Sequence, residues 1–220
     1  MAQALTQAGR AAHSVRLLAV SKTFAADAVA AAAAAGQTAF GENYVQEAVE
    51  KISALRAQGQ SDLEWHCIGP LQSRRTAQVA NHFDWLQSLC RLDIAQRLSR
   101  QRPGTLPPLQ VCLQVNMDGG ANKSGVAPGQ VLELARAVAD LPGLELRGLM
   151  SIPEPYDDDA RTLAVHRSTR ELFDALGNHL HLPRWDTLSM GMSHDMELAI
   201  AAGSTMVRVG TAIFGSRAPR

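Results

Sequence analysis

The sequence predicts an α/β protein in which eight parallel strands alternate with helices and close into a single-domain (β/α)8, or TIM, barrel. Short apolar runs recur along the 220 residues, each followed by a polar tip and then by apolar residues at helical spacing. No change of composition divides the chain, which is slightly shorter than the ~250 residues typical of such barrels. An open doubly wound sheet is the alternative, disfavoured by the eight-fold count and the lack of a GxGxxG motif.

The strands are predicted from short apolar or alternating runs. Residues 17–20 (Leu-Leu-Ala-Val) suit a strand that is buried on both faces. Residues 1–14 ahead of it are Ala/Gln-rich and interrupted by Gly9, and we expect a short lead-in of weak helical character. In chain order the predicted strands are 17–20, 38–43, 64–69, 84–89, 109–116, 144–151, 186–190 and 205–209.

The helices are predicted from apolar spacing and from residues that begin or end a helix. Residues 25–35 are mostly alanine, the best helix former, and Gly36 is the expected stop. Pro128 suits a first helical position, the aspartates 157–159 suit a helix N-terminus, and Ser193 is expected in a capping position. The predicted helices are 25–35, 44–57, 72–81, 91–100, 128–140, 161–176, 193–202 and a short terminal one.

Composition limits the classes of function. Hydrophobic residues make up 46% of the chain, and 21 Lys plus Arg balance 21 Asp plus Glu, so nothing indicates a nucleic-acid binder. Cys67, Cys90 and Cys112 form no CxxC pair, which favours free thiols in a reducing compartment. No apolar stretch approaches the ~20 residues of a membrane span, and no secretion signal is evident. We expect a cytoplasmic, monomeric protein without a membrane partner.

Lys22 and two glycine turns follow the first, seventh and eighth predicted strands. The turns are 191–193 (Gly-Met-Ser) and 210–211 (Gly-Thr). Barrel closure would bring all three to one rim, where loops after strands seven and eight frequently bind phosphate. Exposed backbone N–H groups and hydroxyls in such turns bind anions. The sequence therefore predicts a phosphate site beside a lysine.

The lysine allows two interpretations. Lys22 could pair with the phosphate as a point charge, or it could form an imine with a carbonyl compound. Pyridoxal phosphate, which carries an aldehyde and a phosphate, would satisfy both features. Arg208, two residues before the last glycine turn, points inward if the strand alternation holds, and an arginine or aspartate normally faces the pyridine nitrogen of this cofactor.

Other motifs favour structural roles. Ser193-His194-Asp195 contains the residue types of a hydrolase triad, but consecutive residues cannot converge in triad geometry. His179 and His181 lack further ligands at metal spacing, so no metal is expected.

Six segments resemble the pyridoxal phosphate homeostasis protein family, and together they run from about Arg16 to Ser216. They are 18–23 (LAVSKT), 40–47 (FGENYVQE), 65–72 (WHCIGPLQ), 147–152 (RGLMSI), 188–193 (LSMGMS) and 206–215 (MVRVGTAIFG). The resemblance implies a barrel like the N-terminal domain of alanine racemase, with pyridoxal phosphate held as an imine on Lys22. The cofactor-binding residues that we predict with it are Lys22, Asn43, His66, Met190, Gly191, Ser193, Arg208, Gly210 and Thr211.

Two functional classes follow. The first is a protein that holds pyridoxal phosphate and delivers it to apo-enzymes that need this cofactor, without substantial amino-acid turnover. The second is an amino-acid racemase. The resemblance favours the first class, because two-base racemisation needs a group on the cofactor face opposite the lysine. Racemases take that group from a second domain and a partner subunit, and we expect no such domain in these 220 residues.

Overall fold

A computed structural model of the protein describes residues 1–120 and 124–215. Within them eight parallel strands pair in sequence order and close a barrel. The first and last strands pair directly, with Leu18 opposite Arg208 and Ala19 opposite Val209. Closure confirms the predicted (β/α)8 barrel over the open sheet, and it places the carboxyl ends of the first and last strands side by side at the rim.

Strands and helices alternate as predicted. The strands are β1 (Arg16–Val20), β2 (Ala39–Glu42), β3 (Glu64–Cys67), β4 (Trp85–Leu89), β5 (Leu109–Val115), β6 (Leu144–Ser151), β7 (Thr187–Ser189) and β8 (Met206–Val209). The helices are α1 (Ala2–Gln7), α2 (Ala26–Ala34), α3 (Val45–Ala57), α4 (Thr76–His82), α5 (Leu92–Gln101), α6 (Val131–Ala139), α7 (Asp159–Leu180), α8 (Met196–Ala201) and α9 (Thr211–Phe214). Short 3-10 turns, Ser73–Arg75 and Pro128–Gln130, precede α4 and α6.

The two faces of the barrel have different partners. Outward side chains such as Phe40, Leu86 and Val111 pack against the helices in the main apolar core. The interior holds two smaller clusters: Leu18, Ala39 and Met206 form one, and Trp85, Cys112 and Met150 form the other. Buried polar side chains of β3, β4, β7 and β8 share this interior.

The lead-in before β1 is docked on the barrel. Ala4 and Leu5 of α1 pack in a cluster with Ile200 of α8 and Val207 of β8. The guanidinium of Arg10 donates to the backbone oxygens of Ile200 and Ser204, at 2.9 and 2.6 Å. The first residues therefore cover the outer side of the eighth unit, where β1 and β8 meet.

Two helices differ from the prediction. α8 begins at Met196, not at residue 193, and Asp195 occupies the N-cap position, so Ser193 is not the capping residue. α7 continues to Leu180 and ends at His181, which has a left-handed φ of 49°. It passes through Gly177 because Trp185 lies against this glycine, where a Cβ would come within 2.9 Å of the indole ring. Packing against Trp185 therefore accompanies the continuation of α7 beyond Gly177.

The three cysteines are free thiols, as predicted. Burial raises the pKa of Cys67 and Cys112 to about 12, so both are inert thiols rather than nucleophiles. Among the described residues, no helix has the length and apolarity that crossing a membrane requires.

Candidate functional site

A cavity of about 310 Å³ opens at the carboxyl ends of the strands, near the lower end of the ~300–1,000 Å³ common for ligand sites. Its polar wall contains six of the predicted cofactor-binding residues: Lys22, Asn43, Ser193, Arg208, Gly210 and Thr211. Val20, Ile68, Ile152 and Met192 supply apolar surface, and His194 completes the wall. The structure thus brings together residues that lie almost 190 positions apart in sequence.

Lys22 is held in place through its two neighbours. The backbone oxygen of Ser21 accepts a hydrogen bond from Lys51 Nζ at 2.9 Å. The backbone N–H of Thr23 donates to Glu47 Oε1 at 2.9 Å. Thr23 has a φ of 69°, a left-handed conformation that is costly for a β-branched residue. Two side chains of α3 therefore fix the backbone that presents Lys22 to the cavity.

The anchoring lysine is itself committed to a buried ion pair. Lys51 Nζ lies 2.5 Å from Glu42 Oε1, and both side chains are almost completely buried. The same carboxylate oxygen accepts from the Ser21 hydroxyl at 2.6 Å. Burial raises the pKa of Glu42, although the charge and hydrogen bond of Lys51 oppose the shift. Lys51 is thus a structural residue and does not face the cavity.

Arg208 lies at the floor of the cavity and is buried. Its guanidinium donates to Ser189 Oγ at 2.7 Å and to the backbone oxygen of Ser151 at 2.8 Å. Burial lowers the pKa of Arg208 to about 10, so it remains a cation at neutral pH. In the described chain no carboxylate lies within ion-pair distance of it, and a guanidinium has five N–H donors. The remaining donors suit a hydrogen-bond acceptor in the cavity.

The loop after β7 is shaped by a buried pair that sequence reasoning missed. Asp195 Oδ1 accepts from the backbone N–H of Met192 at 2.6 Å, and Oδ2 lies 2.9 Å from His166 Nε2 of α7. Burial raises the pKa of Asp195, but the hydrogen bonds from His166 and Met192 outweigh burial and lower it. Gly191 has a φ of 94°, and a Cβ there would lie 2.5 Å from Ala199 Cβ. The loop therefore has one conformation, in which Ser193 turns to the cavity.

Several buried polar atoms near this rim have no hydrogen-bond partner within the described ranges, and Asn43 Oδ1 and Ser151 Oγ are among them. Unsatisfied buried polar atoms are rare and costly. Asn43 borders the cavity, so a ligand there could satisfy its amide. The lysine, the buried arginine and the two hydroxyls supply donors for a molecule with a carbonyl, an anionic group and a ring acceptor, and Asn43 Oδ1 can accept a hydrogen bond from such a ligand.

Three predicted residues lie outside the cavity wall. Met190 is completely buried, and its N–H donates to the Met206 carbonyl oxygen in the sheet. Gly191 acts through its backbone conformation. His66 points into the barrel beneath the cavity, where it contacts Glu64 and stacks on Trp85 with ring centroids 5.0 Å apart. His66 is absent from the cavity wall because the inward face of β3 at this position lies below the rim, and its direct contact with the cofactor stays a prediction.

The triad-like segment and the two histidines near the end of α7 have the following surroundings. Asp195 pairs with His166 rather than forming a triad with Ser193 and His194. His179 and His181 are exposed, and no cluster of metal-ligating side chains occurs in the described residues. Lys123, within the predicted loop 117–125, lies outside the described residues, as does Ser216 at the end of the resemblance.

Sequence patterns could have indicated part of what was missed. Ile68 and Ile152 each lie one position beyond the last residue of an observed strand, so period-2 alternation places them at the rim. His166 lies in the middle of a helix without any local motif, and only the fold brings it to Asp195.

Comparison with known proteins identifies the family. The family model for the alanine racemase N-terminal domain matches residues 1–218. A pyridoxal phosphate homeostasis protein of Escherichia coli K12 is 54% identical over 214 residues, which cover 97% of this chain and 91% of the relative. The chain belongs to the pyridoxal phosphate homeostasis protein family. The resemblance inferred from the sequence motifs is thereby confirmed.

Solved structures agree with this assignment. PipY of Synechococcus elongatus, solved with pyridoxal phosphate bound, is 37% identical and superposes with a TM-score of 0.85, covering 97% of this chain and 99% of PipY. Alanine racemase from Corynebacterium glutamicum is 21% identical, with a TM-score of 0.69, and the match covers 97% of this chain and 59% of the racemase. The distant match shows a shared barrel, whereas the close relatives are named for homeostasis rather than for a reaction.

Proposed function

We propose that this protein binds pyridoxal 5'-phosphate in the strand-end cavity as an imine on Lys22, and passes the cofactor to apo-enzymes that require it. The observation that carries the proposal is the convergence of Lys22, Arg208 and the hydroxyls of Ser193 and Thr211 on one cavity. Relatives named for pyridoxal phosphate homeostasis and a PipY structure with the cofactor bound support it.

Lys22 is the lysine that suits imine formation. Its amine would add to the aldehyde carbon, and one water molecule would leave as the C=N bond forms. Of the other two lysines, Lys51 is bound to Glu42 and Ser21 away from the cavity, and Lys123 falls outside the described residues.

The phosphate is assigned to the rim formed by the turns after β7 and β8. Ser193 and Thr211 present hydroxyls there, and Gly210 allows the backbone to approach. A phosphate carries roughly −1.5 to −2 charges near neutral pH. Because Arg208 is the one arginine of the cavity wall, hydroxyl and backbone N–H donors have to supply most of the phosphate contacts.

Arg208 is the reason for proposing binding rather than turnover. A protonated guanidinium can only donate a hydrogen bond, so beside the ring nitrogen it disfavours protonation there. When bound, pyridoxal phosphate supplies an electron sink for carbanions, and an unprotonated ring weakens that sink. The proposed site therefore holds the cofactor without efficiently activating amino acids. We place this activity in the cytoplasm and expect the chain to act as a monomer.

The test uses the protein loaded with pyridoxal phosphate. It is incubated separately with L-alanine and with an apo-enzyme that needs the cofactor. We expect recovery of the apo-enzyme's activity and less than one turnover of alanine. Steady racemisation of alanine that disappears in Lys22→Ala would contradict the proposal.

A further inference from the structure

A row of buried polar side chains crosses the interior of the barrel below the cavity. His66 Nδ1 lies 2.8 Å from Gln87 Nε2, and Gln87 Oε1 accepts from the Ser189 hydroxyl at 2.7 Å. The Ser189 oxygen in turn accepts from Arg208. His66 and Gln87 belong to the neighbouring strands β3 and β4, whereas Ser189 and Arg208 belong to β7 and β8. The Gln87–Ser189 bond therefore spans the barrel.

Glu64 fixes the direction of every hydrogen bond in this row. Its carboxylate Oε1 lies 2.6 Å from His66 Nε2 and can only accept. His66 therefore carries its proton on Nε2, and its Nδ1 accepts from the Gln87 amide nitrogen. Burial lowers the pKa of His66, although its hydrogen bond to Glu64 opposes the shift, which favours the neutral ring. The row then runs from an anionic carboxylate at one end to the Arg208 cation at the other.

The Gln87 amide fits in only one orientation. Its nitrogen donates to His66 and also lies 3.1 Å from Met206 Sδ, a weak acceptor. A reversed amide would place an oxygen against the unprotonated Nδ1 of His66 and a second donor against Ser189 Oγ. The Ser189 proton would then lose its acceptor. The Ser189 hydroxyl can thus donate to Gln87 and accept from Arg208 at the same time only while Gln87 and His66 hold their present roles.

We propose that His66, Gln87 and Ser189 are positioning residues for Arg208, and that their hydrogen-bond chain holds the guanidinium with its remaining donors turned to the cofactor cavity. This inference rests on the proposed function in one respect: the remaining donors of Arg208 are taken to face pyridoxal phosphate. The chain assigns a role to three polar side chains in an interior that apolar residues could fill. Replacing buried polar groups by apolar ones of similar volume is often neutral for stability, so packing alone does not require them.

The first experiment uses the cofactor-free protein. Selective ¹⁵N labelling reports the His66 tautomer, assigned with His66→Asn, and the rotation of the Arg208 guanidinium. We expect an unprotonated Nδ1 and a protonated Nε2 on His66 at pH 7. Gln87→Met and Ser189→Ala should each accelerate rotation of the Arg208 guanidinium about tenfold, the effect of one lost hydrogen bond. A proton on Nδ1 of His66, or unchanged rotation in both variants, would overturn the proposal.

The second experiment measures pyridoxal phosphate affinity, with Cys112→Ala as the matched control. Cys112 is completely buried inside the same barrel but takes no part in the hydrogen-bond chain. We expect affinity to fall about three- to tenfold in Gln87→Met and Ser189→Ala, and to stay unchanged in Cys112→Ala at a comparable loss of melting temperature. Equal affinity losses in all three variants would mean a purely structural role. If the wild-type protein failed to bind the cofactor, the proposed function would be wrong. The first experiment would still show whether the hydrogen-bond chain from His66 to Arg208 exists.

Discussion

The buried ion pair between Lys51 and Glu42 makes a sharp prediction about stability. Lys51→Met keeps the side-chain volume but leaves the fully buried Glu42 carboxylate without its cation. Removing one partner of a buried pair costs ~3–5 kcal/mol because the remaining charge is uncompensated. Glu42 can escape that cost by taking up a proton on folding. From its ordinary pKa of 4.5, protonation at pH 7 costs ~3.4 kcal/mol, at 1.36 kcal/mol per unit. The cost of leaving the charge uncompensated and the cost of protonating Glu42 therefore agree.

Protonation also predicts the pH dependence of the variant. In Lys51→Met the folded protein holds a proton on Glu42 that the unfolded chain lacks above pH 4.5. A group with a raised folded pKa makes stability fall as pH rises between its unfolded and folded pKa values. The deficit of the variant should therefore shrink by up to ~2.7 kcal/mol when the pH is lowered from 7 to 5, two units at 1.36 kcal/mol each, the full amount applying where wild-type Glu42 stays ionised.

Urea unfolding followed by fluorescence of the three tryptophans measures this free energy. The matched control is the double variant Lys51→Met with Glu42→Gln, which removes both charges and should recover at least half of the lost stability without a pH slope. A deficit below about 1 kcal/mol in Lys51→Met, or one that is the same at pH 5 and pH 7, would refute the argument that burial and charge pairing decide this site.

Three further predictions concern the rim. Replacing Ser193 and Thr211 together by alanine should weaken pyridoxal phosphate binding by ~1–3 kcal/mol per hydroxyl, as for hydrogen bonds to charged groups; unchanged affinity in a titration would exclude the phosphate assignment. Gly191→Ala should cost ~1–3 kcal/mol more stability than Gly36→Ala. The two glycines have similar φ values, 94° and 97°, but of the two only Gly191 has a neighbouring side chain where the new Cβ would lie. Equal melting temperatures of the two variants would contradict the clash. Asp195→Asn should lose ~1.5–3 kcal/mol at pH 7. Because the folded pKa of Asp195 is lowered, its contribution is present above the ordinary value and lost as pH falls through the folded value, so the deficit should vanish in acid; a deficit that persists there would show that charge is not its cause.

The fold was predictable because local and global signals agree along the chain. Each apolar run that predicted a strand is long enough to be unambiguous once it is followed by a helical pattern and a turn. The eight-fold alternation then leaves one closed arrangement, and that closure places Lys22 beside the turn at Gly210. The carboxyl ends of all strands in a parallel barrel share one rim, so the residues that follow them are brought together once the strand order is known.

What the sequence did not reveal depends on contacts between distant segments. α8 begins after Asp195 rather than after Ser193, and the Asp195 carboxylate binds Met192 and His166, the latter 29 residues away on α7. His66 follows the inward alternation of β3 correctly, but alternation gives the side of a strand and not the height within the barrel. Gln87 of β4 and Ser189 of β7 come within hydrogen-bond distance of each other only when the barrel closes.

Peptide mapping tests whether pyridoxal phosphate is bound covalently by Lys22, as proposed. The loaded protein is reduced with borohydride, digested and analysed by mass spectrometry, with Lys22→Ala as the control. We expect the cofactor mass on the peptide that contains Lys22, and no labelled peptide in the control. A reduced adduct on Lys51 or Lys123 in the wild-type protein would contradict the account, whatever the affinity of the protein for the cofactor.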